Sequence, residues 1–159
     1  MRVDDADAAR EAEAQGAKAL AVARPIEGIR AATSLPLLWV GPAVGDDIDA
    51  VLLRPDDEAE HDGIEFVVDV RDEEELERAL DSLDPEIFLL SSRGRDHDDD
   101  PLDAALELLP DVPAGKLAIA DVDVASRDEV LALERAGIDA VLVPAGPIVG
   151  LVGHAAFDV

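Results

Sequence analysis

The stretch KLAIADVDVASRDEVLALERAGIDAVLVPAG, residues 116–146, decides the fold of this chain. Two short apolar runs, Lys116–Ala120 and Ile138–Val143, are typical of strands that are buried on both faces. Between them a Ser-x-x-Glu capping box at Ser126 begins a helix, and Gly137 stands where a left-handed cap would end it. Because the connections are so short, we expect parallel strands and a right-handed crossover.

Strand and helix patterns alternate along the rest of the chain as well. Apolar runs predict further strands at Lys18–Ala23, Leu35–Val40, Ile48–Leu53, Ile64–Val70 and Glu86–Leu90. Alanine-rich or capped stretches predict helices at Asp4–Gln15, after Pro25, at Asp72–Leu83 and after Asp100. The connections on either side of Ile48–Leu53 are too short to hold a crossover helix.

About seven strands in strand–helix alternation predict one α/β domain over residues 1–159, built on a parallel sheet. No glycine-rich fingerprint follows any strand, which argues against an open sheet that binds a dinucleotide. The other choice is a sheet closed into a barrel, although such barrels typically take about 250 residues. We therefore expect a TIM-barrel-like fold that is trimmed or incomplete.

The charge of the chain limits its partners. Its 159 residues carry 38 acidic and 13 basic side chains, a formal net charge of −25. Nucleic acid and anionic membrane surfaces would repel such a protein, and we expect neither as a partner. No apolar run is long enough to cross a bilayer and the first residues do not resemble a signal peptide, so we expect a cytoplasmic protein.

The composition also limits the chemistry. Without cysteine there is no disulfide framework, thiol nucleophile or thiolate metal site. Lys18 and Lys116 are the only lysines, and the other basic residues are arginines. An acidic, lysine-poor surface around an ordinary apolar core resembles the proteins of salt-loving archaea, where molar salt screens self-repulsion. The alternative is an acidic protein from an ordinary cell.

Three segments resemble the second half of indole-3-glycerol-phosphate synthase: FVVDVRDEEELERAL (66–80), PEIFLLSSRGRD (85–96) and KLAIADVDVASRDEVLALERAGIDAVLV (116–143). Weaker likeness continues upstream in AREAEAQGAKALAV (9–22), IRAATSLPLLWVGP (29–42) and IDAVLLR (48–54). The resemblance implies a closed eight-stranded barrel and a lyase of tryptophan biosynthesis.

The functional residues of that family transfer poorly to the fifth and sixth strands. The family's fifth strand carries Val-Glu-Val-His, and here Asp69 and Arg71 stand at the glutamate and the histidine. The family's sixth strand ends in Asn-Asn-Arg, and here the matching residues are Ser91, Ser92 and Arg93. Only the arginine is kept.

The ends of the other strands differ even more from the residues of that family. Where the family's third strand has Arg-Lys-Asp, Val40 takes the place of the lysine that acts as general acid, and valine cannot donate a proton. The seventh strand's Glu-Ser-Gly becomes Asp121 to Asp123, and the eighth strand's Gly-Glu-Ser becomes Pro144 to Gly146. The family's first strand has no counterpart. We therefore predict that this chain alone does not carry out the synthase reaction.

Position at the strand ends selects the candidate site, because barrel enzymes carry their activity at this face. We assign catalytic roles to Asp69, Asp121 and Arg93. We assign ligand binding to Ser91, Ser92, Asp123 and Gly146. The carboxylates could work as an acid–base pair or hold Mg²⁺. The simpler interpretation is that they are polar strand ends or helix caps in an aspartate-rich chain.

Several other residues have simpler explanations than a site. The acidic run at 96–100 lacks the spacing of an EF-hand loop, and a solvated loop ending in a helix cap is favoured, so we assign no metal site. His61 suits a surface loop, and His154 in the apolar tail lacks a serine elbow beside it. Trp39, the only tryptophan, suits the core or a plug at the barrel mouth.

Three functions remain open at this point. The one we favour is a non-catalytic relative, a barrel that binds a protein partner or a small metabolite, with or without a phosphate group. The second is an enzyme of changed, lyase or aldolase chemistry, with or without Mg²⁺. The third is a divergent synthase whose true start lies upstream. A missing first strand would also leave a sheet edge exposed, which predicts a homodimer.

Overall fold

Seven parallel strands form one sheet in which each strand pairs with the next along the chain. The computed structural model describes residues 1–42, 44–58, 63–91 and 100–153. The strands are β1 (Leu20–Val22), β2 (Leu37–Trp39), β3 (Ala50–Leu53), β4 (Glu65–Val70), β5 (Ile87–Ser91), β6 (Leu117–Asp121) and β7 (Ala140–Leu142). The predicted fold, an α/β, TIM-barrel-like sheet of seven parallel strands, is confirmed.

Five α-helices and one 3₁₀ turn precede or connect these strands within the described residues. They are α1 (Ala6–Ala14), α2 (Ile29–Ala32), α3 (Glu73–Ser82), α4 (Pro101–Leu108), the 3₁₀ turn Leu109–Asp111, and α5 (Arg127–Ala136). The helix after Pro25 is only one turn long, and no helix is described on either side of β3, as the short connections predicted. None of the described helices is long and apolar enough to cross a membrane.

Short polar caps set the helix boundaries. Asp72 accepts a hydrogen bond from the Glu75 N–H at 2.8 Å, and Asp100 accepts one from the Leu102 N–H at 2.9 Å. Ser126 begins α5 by accepting from the Glu129 N–H, while the Glu129 carboxylate accepts from the N–H of Ala125 rather than from that of Ser126. These contacts satisfy N–H groups that have no partner inside the helix.

The two faces of the sheet differ in what they contact. One face packs against the helices in a large core that contains Phe88, which is fully buried. The other face carries a smaller apolar cluster drawn only from the strands and the residue after β2, with Ala21, Val67, Leu89 and Leu142 at its centre. A cluster without any helix residue is the inside of a curled sheet.

The first three residues join the two edges of the sheet. The Arg2 N–H donates to the Val143 carbonyl at 3.0 Å, next to β7, and the Val3 N–H donates to the Ala21 carbonyl at 3.1 Å, on β1. The Ala21 N–H donates in turn to the Met1 carbonyl at 2.8 Å, and Arg2 pairs with Ala21 in parallel. The sequence predicts no counterpart of the family's first strand, and Met1–Val3 adds only an isolated bridge there, which covers part of the exposed edge on which the predicted homodimer is based.

One pentapeptide, Ile-Asp-Ala-Val-Leu, occurs twice in the sheet, at 48–52 and at 138–142. In the first copy the Asp49 carboxylate accepts from the Leu37 N–H at 2.8 Å, and the Asp49 N–H donates to the Leu37 carbonyl at 3.0 Å. In the second copy Asp139 makes the same pair of bonds with Ala118, at 2.8 and 2.9 Å. The motif therefore fixes how β3 aligns with β2 and how β7 aligns with β6.

Trp39 belongs to the core on the helix side of the sheet, where it is 4% exposed. A side chain at Gly45 would come within 2.7 Å of its ring, so glycine lets the loop after β2 pass close over the indole. Of the two roles predicted for Trp39, the structure supports a place in the core and not a plug at the barrel mouth.

Candidate functional site

Strand register brings three of the predicted site residues to the same end of the sheet. Ser91 pairs with Asp121 across β5 and β6, and Asp69 pairs with Leu89 across β4 and β5. Side chains two residues apart on a strand point the same way, so all three project from the face that carries Leu89. They therefore lie inside the curl, at the carboxyl ends of the strands.

Asp69 and Ser91 are directly bonded. The Ser91 hydroxyl donates to Oδ1 of Asp69 at 2.5 Å, and the two residues are 2% and 7% exposed, Ser91 being the more buried. A short hydrogen bond from a hydroxyl to a carboxylate is among the stronger polar contacts. The pair holds a carboxylate at the mouth of the barrel in a fixed orientation.

Arg2 reaches the same end of the sheet from the N-terminal segment. Its Nη2 lies 2.7 Å from Oδ2 of Asp121, and the two side chains are 28% and 10% exposed. Sequence reasoning missed this residue because three residues are too few for a strand pattern. The alternation Met-Arg-Val, with one charged residue between two apolar ones, was the sole hint.

A second arginine follows β4. Arg71 binds Glu75 through both ends of its guanidinium group, with Nη2 to Oε1 at 2.7 Å and Nε to Oε2 at 3.1 Å. These hydrogen bonds, with the nearby charges of Glu75, Asp69 and Asp72, hold the pKa of Arg71 above its usual range. We call Arg2, Asp69, Arg71, Glu75, Ser91 and Asp121 the rim network.

Other predicted site residues lie apart from this network. The strand ends at Asp121, so Asp123 does not continue it, and its side chain is exposed. Gly146 is also exposed, in the segment after β7. Ser92, Arg93, His61, His154 and residues 96–99 lie outside the described residues, and Asp100 is the cap of α4.

Both lysines precede strands and so lie at the opposite end of the sheet. Lys116 comes immediately before β6, and its Nζ binds Asp84 Oδ1 and the Pro85 carbonyl, each at 2.8 Å. The hydrogen bond to Asp84 is the main reason why the pKa of Lys116 is raised. Lys18 comes two residues before β1. In a parallel sheet both positions are remote from the strand carboxyl ends.

Val40 stands where the resemblance places the general acid. It follows β2 and packs against the apolar cluster inside the curl, together with Leu38 and Leu52. The ammonium group of Met1 binds the Ala19 carbonyl at 3.0 Å, before the start of β1. Within the part of the chain that the structure describes, the rim network therefore contains guanidinium, carboxylate and hydroxyl groups but no ammonium group. Guanidinium groups stay protonated at all ordinary pH values, so they bind and orient rather than donate protons.

The described residues contain no group of three or more histidine, aspartate or glutamate side chains that could hold a metal ion. The Mg²⁺ alternative therefore has no ligand set among them. The rim network instead offers one hydroxyl, two guanidinium groups and three carboxylates. These can hydrogen-bond a small polar molecule, and Asp69 or Asp121 could accept a proton from it.

No model of a known protein family matches the chain. It is similar to indole-3-glycerol phosphate synthase from Variovorax paradoxus, with 37% identity over 51% of this chain and 30% of that protein. The synthase from Acidithiobacillus ferrooxidans is 28% identical over 67% of this chain and 43% of its own length. The synthase from Campylobacter fetus is 29% identical over 50% of this chain and 31% of its own length. The chain thus spans less than half the length of these relatives.

A solved structure supports the fold alone. Thiamine phosphate pyrophosphorylase from Pyrococcus furiosus superposes with a TM-score of 0.66, covering 87% of this chain and 78% of that one. The sequence identity is 17%, so this similarity concerns the α/β barrel architecture. The similarity to indole-3-glycerol phosphate synthase is supported by the curated relatives alone.

Proposed function

We propose that this chain is a divergent relative of indole-3-glycerol phosphate synthase that has lost the synthase reaction and binds a small polar metabolite at the rim network. One observation carries the proposal: the described strand carboxyl ends hold no ammonium group. Val40 stands where the resemblance places the catalytic lysine, and Lys18 and Lys116 lie at the other end of the sheet. Ring closure with loss of water and carbon dioxide needs a proton donor at the substrate carbonyl.

The rim network supports ligand binding because its polar groups are held in place before any ligand arrives. Asp69 is fixed by Ser91, Asp121 by Arg2, and Glu75 by Arg71. Small-molecule sites combine an apolar wall with a few oriented polar groups, and the cluster around Leu89 supplies that wall. Orientation in advance lowers the entropy that these side chains lose when a ligand binds.

Charge narrows the class of ligand. The described network carries three carboxylates against two guanidinium groups, and each guanidinium is bonded to a carboxylate. An additional anion would be repelled by a chain of net charge −25. A molecule with hydroxyl or amine groups therefore fits these residues better than the phosphorylated ligand that the family resemblance suggested.

The test is one incubation with two measurements. The purified protein, in buffers with and without molar KCl, is mixed with the synthase substrate and with a panel of sugars, polyols, amines and sugar phosphates. We expect no indole-3-glycerol phosphate by chromatography, and a rise in melting temperature with a polyol or amine. Asp121→Asn should abolish that rise, whereas the matched variant Asp123→Asn, two residues away and exposed, should keep it.

Product formation would overturn the loss of synthase activity. A melting temperature that rises equally in both variants would overturn the assignment of the rim network as the binding site. Conversion of a panel compound into another product, lost in Asp69→Asn, would favour the enzyme of changed chemistry.

A further inference from the structure

The inward-facing residues nearest the carboxyl ends of the seven strands fall into two groups. Those of three neighbouring strands, β4 to β6, are polar, and those of the other four strands are apolar. In chain order from β1 to β7 they are Ala21, Leu38, Leu52, Asp69, Ser91, Asp121 and Leu142. The mouth of the curl therefore has a polar side and an apolar side.

The two copies of Ile-Asp-Ala-Val-Leu identify Val40 as the counterpart of Asp121. The aspartate of the first copy bonds Leu37 in β2, and Val40 stands three residues after Leu37. The aspartate of the second copy bonds Ala118 in β6, and Asp121 stands three residues after Ala118. Because β2 and β6 are four strands apart in a curled sheet of seven, this valine and this carboxylate lie on opposite sides of the mouth.

The apolar side keeps surface that the protein does not cover. Leu38, Val40 and Leu52 are each half-buried, whereas Ala21 and Leu89, in the same cluster, are each 2% exposed. The uncovered surface belongs to side chains at the same end of the sheet as the rim network. A molecule that is held there by its polar groups can therefore also bury apolar surface.

We propose that the ligand of the rim network is amphipathic. Its hydroxyl or amine group binds beside Asp69 and Asp121. Its other part is a short aliphatic group that packs against Leu38, Val40 and Leu52. This inference rests on the proposed function and adds the apolar half of the ligand to it. Val40 is then a specificity-determining residue, because a polar side chain in its place would make both sides of the mouth polar.

The positions of the aromatic residues indicate why the apolar group is aliphatic. Trp39, Phe66 and Phe88 all pack in the core between the sheet and the helices. Inside the curl, the described residues therefore offer no aromatic ring on which a ring of the ligand could stack. The interior of a barrel of about eight strands has room only for side chains or one small ligand, so the group must also be short.

The test uses the full chain and four amino alcohols that share one polar head: ethanolamine, alaninol, valinol and leucinol. Isothermal titration calorimetry in molar KCl gives the dissociation constant of each. A fully buried methylene group is worth about fourfold in affinity, so the half-buried apolar side should give about twofold for each added carbon. Leucinol should therefore bind roughly tenfold more tightly than ethanolamine.

One variant and one matched control examine the role of Val40. Val40→Thr keeps the shape of the side chain but adds a hydroxyl group to the apolar side, and should reduce the preference for leucinol by about threefold. Val44→Thr makes the same change at a position that is 44% exposed, in the loop after β2, and should leave the preference unchanged. In the unmodified protein, leucinol should shift the methyl NMR signals of Val40 and Leu52 but not those of Val44.

The matching hydroxy acids, from glycolate to leucate, separate this inference from the proposed function. If only the acids bind and leucate binds most tightly, the ligand class of the proposed function is overturned and the apolar side stands. If the amino alcohols all bind equally, or if Val40→Thr keeps the full preference for leucinol, the apolar side is overturned and the proposed function stands. If neither series binds, both proposals are overturned.

Discussion

The two copies of Ile-Asp-Ala-Val-Leu, in β3 and in β7, begin alike and end in different surroundings. In each copy, an aspartate makes two hydrogen bonds to one residue of the preceding strand, one through its carboxylate and one through its own N–H. That residue is Leu37 in the first copy and Ala118 in the second. The strand that follows is covered on both sides in β3. In β7 the strand has β6 on one side, and on the other side it borders a cavity of about 800 Å³ that is also lined by the start of β1.

The comparison separates what a short sequence determines by itself from what its neighbours determine. Strand type and alignment depend on residues that are close together in the chain or in the adjacent strand, and they are the same in both copies. Burial depends on the next strand along, which the five residues do not specify. Val51 and Val141 should therefore contribute differently to the free energy of unfolding, although their local structure is the same.

The largest expected effect is the valine truncation. Val51→Ala removes two methyl groups from a side chain that is 3% exposed, and should lower the free energy of unfolding by about 2 kcal/mol. Val141→Ala makes the same change in the same sequence at a half-buried position, and should cost less than about 1 kcal/mol. Chemical denaturation of both variants measures the difference, and equal costs would mean that the second copy is as well covered as the first.

This difference also marks the limit of prediction from sequence. The stretch 116–146 has the short connections and caps that made a parallel strand–helix–strand unit predictable, and its Ser126 and Gly137 caps form as expected. Asp69, Ser91 and Asp121 could be placed together because parallel strands end at a common edge. All of these inferences use contacts between neighbours in sequence or in strand order.

The parts that sequence did not predict depend on distant contacts. Arg2 forms an ion pair with Asp121, which is 119 residues away in the chain, and three residues are too few for a periodic pattern that would predict this contact. Asp121 and Asp123 have the same strand parity, but β6 ends between them, so only one of the pair reaches the rim network. Where a strand ends depends on its partner, and single-sequence patterns do not contain that partner.

The second prediction concerns Met1–Val3, the segment that lies beside β7 but not beside β3. Arg2→Ala removes the ion pair with Asp121, whose side chain is 10% exposed, and should lower the free energy of unfolding by about 1.5 kcal/mol. Its local effect should be faster hydrogen exchange at Ala21 and Val141, with little change at Val51. Arg2→Lys, which keeps the charge, should recover part of the loss. Uniform acceleration in both copies would mean that Met1–Val3 stabilises the whole sheet rather than this junction.

The smallest expected effect is a pH dependence that belongs to the first copy. The Asp49 carboxylate accepts from the Leu37 N–H and from Arg30, and these bonds hold its pKa below the usual range. Because the unfolded chain protonates this group at a higher pH, the folded state gains stability above the ordinary pKa of about 3.9 and loses it as the pH falls through the lowered value.

The side chain is half exposed, so solvent screens the pair and the gain should be below about 1 kcal/mol. Asp49→Asn should therefore be less stable than the parent protein at pH 6, and the gap should close toward pH 2. Arg30→Met tests the cause: it should shrink the gap without closing it, because the bond from the Leu37 N–H, the larger contribution to the lowered pKa, remains. A gap that is constant across this pH range would show that the aspartate aligns the strand through its geometry alone, as an asparagine would.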